Sequence, residues 1–148
     1  MIAILSQAKS YPADFKPGRS VVVHDLLGSS MWAEGEVVYI YPKPGIEHDI
    51  HIAKEQTKVF QQKIVEKGKQ YALICDIRHT NPIDKKCRDY YSSDGPAQNV
   101  SAFSFLVDSK FSMVIANFFL GLTTLKVKTK MFTSTPTAVS WSKNHVAQ

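Results

Sequence analysis

The chain has 148 residues, with 18 Lys and Arg against 13 Asp and Glu, a net charge of +5, and 44% apolar and 21% charged residues. This composition is that of a globular chain and not a disordered one, and the length suits one domain with its own core. The basic residues are spread out, the densest groups being Lys63, Lys67, Lys69 and Lys126, Lys128, Lys130, so no stripe marks nucleic acid as a partner.

Cys75 and Cys87 make no disulfide framework, and Cys75 lies in an apolar run that suits a buried thiol. Met1 to Leu5 lacks a basic lead and is too short for a signal-peptide core. The longest apolar stretch, Phe111 to Leu122, is interrupted by Ser112 and Asn117 and is well short of the roughly 20 residues that span a bilayer. A cytoplasmic protein is the expectation.

Residues 1–18 contain Pro12, Pro17 and Gly18 without sustained periodicity and read as a flexible N-terminal extension, with one α/β domain over 19–148. Ser20-Val21-Val22-Val23-His24 is β-branched and predicts a strand, broken by Gly28-Ser29-Ser30. Met31-Trp32 leads through Glu34-Gly35 into a clearer strand, Glu36 to Tyr41, ended by Pro42-Lys43-Pro44-Gly45. From Ile52 to about Lys67 the period becomes helical: Ile52, Ala53, Val59, Phe60 and Ile64 share one stripe, and Gly68 is a natural stop.

Tyr71 to Ile77 is almost entirely apolar and predicts a central strand covered on both faces. Asn81 as N-cap and Pro82 at the first position predict a short helix that sets Ile83, Cys87, Tyr90 and Tyr91 on one face. Ala102 to Val107 predicts another buried strand, and Asp108-Ser109 a cap for a helix reaching Leu122. Thr129 to Phe132 predicts a short strand, and Thr135-Pro136 opens a last helix whose Ala138, Val139, Trp141 and Val146 share a face. The order β-β-β-α-β-α-β-α-β-α gives a mixed β-sheet, antiparallel at its N-terminal end and followed by β-α units, with about four helices.

Four stretches carry a family likeness: Ile52-Ala53-Lys54-Glu55; Leu73 to Arg78; Val107-Asp108-Ser109 continuing to Ile115 through Phe119; and Lys130 to Ser134, with an alanine and a tryptophan in the helix that follows. Over roughly the last two-thirds of the chain the sequence resembles a group of bacterial proteins placed in the STAS and Sec-type lipid-carrier-like superfamily. The resemblance implies a STAS-like α/β domain and brings no reaction with it. In anti-sigma-factor antagonists of this kind, the helix after the central strand opens on an Asp-Ser-Ser/Thr-Gly-like motif whose hydroxyl is phosphorylated. Here Arg78-His79-Thr80-Asn81-Pro82 stands instead, leaving Thr80 as the sole candidate hydroxyl, with no glycine after it.

Asp76, Arg78 and His79 end the central strand, and Asp108 and Ser109 end its expected neighbour, on the edge where open α/β sheets take ligands or partners. Asp, His and Ser invite a hydrolase reading, but no Gly-x-Ser-x-Gly turn is present. His48, Asp49 and His51, with His24, offer metal-ligand chemistry without an identifiable complete ligand set, and neither metal nor cofactor is expected. In the Phe111 to Leu122 segment apolar residues nearly encircle the expected helix, so Phe111, Val114, Phe118 and Phe119 are candidates for a homodimer interface or for the wall of an apolar pocket. The sequence thus points to a non-enzymatic binding or regulatory module that engages a protein partner or itself, or else to a carrier or sensor of a small apolar or amphipathic ligand.

Overall fold

A computed structural model describes residues 11–81, 83–108 and 127–146. Six strands form one sheet in sequential order: β1 (Val23–Asp25), β2 (Ser29–Glu34), β3 (Val37–Pro42), β4 (Tyr71–Asp76), β5 (Val100–Leu106) and β6 (Lys128–Phe132). β1, β2 and β3 pair antiparallel, and β3, β4, β5 and β6 run parallel. The described helices are α1 (Ile50–Val59), continued by a π-helical turn (Phe60–Ile64), α2 (Lys85–Tyr91), a short 3-10 turn (Gly95–Ala97) and α3 (Thr135–Asn144). The fold is therefore mixed α/β, as the order of sequence signals required. Three of the expected helices are present, and the expected helix from Ser109 to Leu122 lies outside the described residues.

Local chemistry explains the boundaries. β2 and β3 join through Gly35-Glu36, with Glu34 opposite Val37 and Gly35 at φ +65, a conformation that suits glycine in a two-residue hairpin turn. The expected break at Gly28-Ser29-Ser30 is shorter than supposed: Ser29 and Ser30 already pair with Pro42 and Tyr41, buried in the sheet. Asp49 caps α1 by accepting from the Ile52 N–H at 3.0 Å. The helical run ends at Ile64 and not at Gly68, because the Tyr71 hydroxyl donates to the Ile64 carbonyl and accepts from the Glu66 N–H. α2 begins after Asp84, whose carboxylate accepts from the Cys87 N–H at 2.9 Å. The expected cap, Asn81, is thus displaced by a second capping residue three positions on.

Side chains alternate across the strands, so the sheet has two distinct faces. On the first, Trp32, Val37, Tyr41, Ile74 and Leu106 pack with Phe132 and with Ala138 of α3. Residues 11–18 close the β2–β3 end of that face. Phe15 is 1% exposed, its ring lies 5.6 Å from those of Trp32 and Tyr39, and Tyr11 meets Trp32 and Tyr41 edge-on. The flexible extension expected over residues 1–18 is therefore a docked strap in its described part, held because an aromatic cluster on β2 and β3 buries Phe15.

The second face carries Met31, Val38, Ile40, Leu73, Phe103 and Phe105 and receives Phe60 from the π-helical turn. Because the sheet grows in one direction through parallel strands, right-handed crossovers put α1 and α2 on the same side. The two helices pack together there, with Ala53 of α1 against Ile83 and Cys87. Among the described residues no helix is long and apolar enough to cross a membrane.

Candidate functional site

The stripe that packs α1 on the sheet is Ile52, Ala53, Gln56 and Phe60, one turn apart. Gln56 thus puts an amide among apolar neighbours. α2 approaches with its last residue, Tyr91, and the loop before Asp49 adds His48. The Tyr91 hydroxyl shares a hydrogen bond of 2.7 Å with His48 Nε2 and accepts from Gln56 Nε2 at 2.8 Å. The Cys87 thiol donates to the His48 carbonyl at 3.4 Å, so α2 holds the loop from both ends of that residue.

Beneath this cluster, between the helices and the second sheet face, lies a cavity of ≈ 110 Å³. Ile40, Phe60, Leu73, Cys75, Phe103 and Phe105 form much of its apolar wall; the hydrogen-bonded His48, Gln56 and Tyr91 and also Thr57, Thr80 and Thr129 are its polar lining residues. No Lys, Arg, Asp or Glu stands among the described lining residues. A cavity of about 150 Å³ with a similar aliphatic and aromatic wall takes a benzene molecule in another protein, so there is space here for about one small ring or a short branched chain.

Two polar atoms of lining residues are buried and unsatisfied. Gln56 is 7% exposed, and its Oε1 has no hydrogen-bond partner among the described residues, nor does the buried Thr80 hydroxyl. Burial depresses the pKa of His48 below the ordinary imidazole value despite the opposing fields of Asp49 and Asp84. Burial also raises Tyr91 well above the usual phenol range and Cys75 far above the usual thiol range. Cys87 is pushed up to about 11 by burial, with Asp84 adding to it. The polar lining is accordingly uncharged near neutral pH. Cys75 retains some accessible surface although desolvation governs its thiol, because that surface faces the cavity.

Two of the residues expected at the strand edge, Asp76 and Arg78, form an ion pair. Arg78 closes on Asp76 with Nε to Oδ1 and Nη2 to Oδ2, both 2.9 Å, and its N–H also donates to Oδ1 at 3.1 Å. The same guanidinium grips Asp14 of the strap at 2.9 and 2.8 Å. Asp76 is thereby committed to Arg78, and His79 is exposed with no hydrogen bond to it among the described residues. Asp108 is exposed, and Ser109 lies outside the described residues, as do the expected interface residues Phe111, Val114, Phe118 and Phe119. Thr80, the candidate phosphorylation site, has its hydroxyl enclosed at the cavity.

The histidine group is not assembled. His48 turns to Tyr91, Asp49 caps α1 and His51 is exposed, while His24 sits on β1 opposite Met31. Among the described residues no three His, Cys, Asp or Glu side chains are placed to hold a metal ion. Sequence reasoning missed the Gln56–Tyr91–His48 cluster. Its signal was a glutamine four residues after Ile52 and four before Phe60, a polar group on the buried stripe.

No curated protein and no solved structure matches the chain. One family does, over residues 31–146, a span that takes in every described cavity-lining residue and leaves out the strap and β1. The chain belongs to this family, described as a domain of unknown function (DUF7793).

Proposed function

We propose that this protein is a non-enzymatic binding module that takes a small, largely apolar ligand between α1, α2 and the sheet. The observation that carries the reading is the cavity: apolar along much of its wall and free of charged side chains among its described lining. The π-helical turn at Phe60–Ile64 supports it, since such turns often accompany functional sites and this one delivers Phe60 to the cavity wall. The resemblance to the STAS and lipid-carrier-like superfamily agrees in kind with an apolar ligand. The binding role is preferred to catalysis because Asp76 is occupied by Arg78 and His79 has no carboxylate to orient it.

Calorimetric titration with benzene tests the reading. Saturable binding at one site is expected, and Cys75→Leu, which adds bulk from the floor of the cavity, removes it while the variant still unfolds cooperatively. Absence of saturable binding up to the solubility limit of benzene contradicts the proposal.

A further inference from the structure

We infer that the ligand of this cavity carries no hydrogen-bonding group: it is a hydrocarbon, or a halogenated hydrocarbon, of about one ring. This inference rests on the cavity being a ligand site and narrows what that site takes.

The described lining includes polar side chains, yet their hydrogen-bonding atoms are committed to the protein itself. Gln56 Nε2 donates to the Tyr91 hydroxyl, which is in turn engaged with His48 Nε2. The Thr57 hydroxyl donates to the Ala53 carbonyl one turn back at 3.2 Å, and the Thr129 hydroxyl donates to the Val127 carbonyl at 3.1 Å. Gln56 Oε1 and the Thr80 hydroxyl have no partner among the described residues, but they have essentially no accessible surface either, so a molecule in the cavity does not touch them.

The floor is closed in the same way. Its strands are paired on both sides: Ile40 with Met31 and Cys75, Leu73 with Val38 and Phe103, Phe105 with Cys75 and Met131. The N–H and C=O groups of these residues lie in the plane of the ladder, and their side chains stand on its face. The Cys75 thiol does meet the cavity, but sulfur is a weak donor and a weak acceptor. A hydroxyl or amine entering here sheds its water and meets carbon, or oxygens already engaged, so its desolvation is not recovered. A carboxylate, phosphate or ammonium fares worse, since no charged side chain stands among the described lining residues. The volume limits the molecule to about one ring or a short branched chain. The rival is an amphipathic ligand whose polar group points out of the cavity into water. It predicts that a hydroxyl on the ring costs nothing.

The test compares benzene, fluorobenzene and phenol by calorimetry at pH 7 on the full chain and on Cys75→Leu. Fluorobenzene and phenol have nearly the same shape, and only phenol has a strong hydrogen-bonding group to desolvate. The unmutated protein is expected to bind fluorobenzene about as tightly as benzene, and phenol about five- to hundredfold more weakly, the cost of an uncompensated hydroxyl. Cys75→Leu is expected to bind none of the three. Phenol binding within fivefold of fluorobenzene, or tighter, in the unmutated chain overturns the inference while leaving the cavity as a ligand site. If neither benzene nor fluorobenzene binds, or if Cys75→Leu still unfolds cooperatively and binds them unchanged, the ligand site itself is refuted.

Discussion

Asp76 has a side chain with no solvent exposure, and Arg78, at 13%, is the cation that makes this tolerable. Removing the cation strands the carboxylate. Arg78→Leu is expected to lose about 3 kcal/mol of stability, measured by urea unfolding. Asp14 is half-exposed, so Asp14→Asn is expected to change stability by no more than about 1 kcal/mol even though the same guanidinium holds it. Similar losses for both variants would mean that the strap contact, and not the burial of Asp76, dominates. His48 gives the residue scale a pH signature. Its folded pKa is depressed below the ordinary value of 6.5, so the neutral ring is preferred in the fold. The unfolded chain takes up a proton first as pH falls through about 6.5, and stability declines from there toward the folded pKa. His24 shifts in the same direction, through burial and the nearby Lys63. The melting temperature is expected to fall between pH 7 and pH 5, and His48→Phe is expected to flatten part of that slope. An unchanged slope in the variant would assign the dependence elsewhere.

At the scale of elements, the strap is the part that the sequence concealed. Pro12, Pro17 and Gly18 punctuate it, and no local period announces that Phe15 fills a gap between Trp32, Tyr39 and Tyr41. That burial depends on residues far along the chain, which no local pattern encodes. Phe15→Ala is expected to lose about 3 kcal/mol or more by differential scanning calorimetry, and a loss near zero would return the strap to a loose extension. The contact between the β1–β2 turn and α1 is similarly close. A Cβ at Gly28 would stand 2.4 Å from Ile52 Cγ2, and Ile52 is buried, so Gly28→Ala is expected to cost about 1–3 kcal/mol. By contrast α1, β3, β4, β5 and α3 were legible, the helices from their apolar stripes and the strands from β-branched or continuous apolar runs. The start of α2 was misplaced since Asn81 and Asp84 both have capping chemistry, and only the Cys87 N–H decides between them.

At the scale of the molecule, the mixed sheet followed from the order of the signals: hairpin strands first, then strands separated by helices. The edge group Asp76, Arg78 and His79 does end the central strand; there Arg78 pairs with Asp76 and fastens the strap through Asp14, while His79 stays exposed. The cavity was not legible, because it is made by spacing between α1, α2 and one face of the sheet and not by any motif. Its hydrogen-bonded cluster came from three separate segments, each bland in isolation: a loop histidine, a mid-helix glutamine and a helix-terminal tyrosine. Together they give a largely apolar interior one polar cluster without a charge.

Xenon pressurisation of a crystal of the protein examines that interior directly, since xenon occupies apolar cavities of this size without needing a hydrogen bond. One ordered xenon between Phe60, Leu73, Cys75 and Phe105 is expected, lost in Cys75→Leu. A crystal structure with no xenon there, and with side chains filling the space, would contradict a ligand-binding role for this domain.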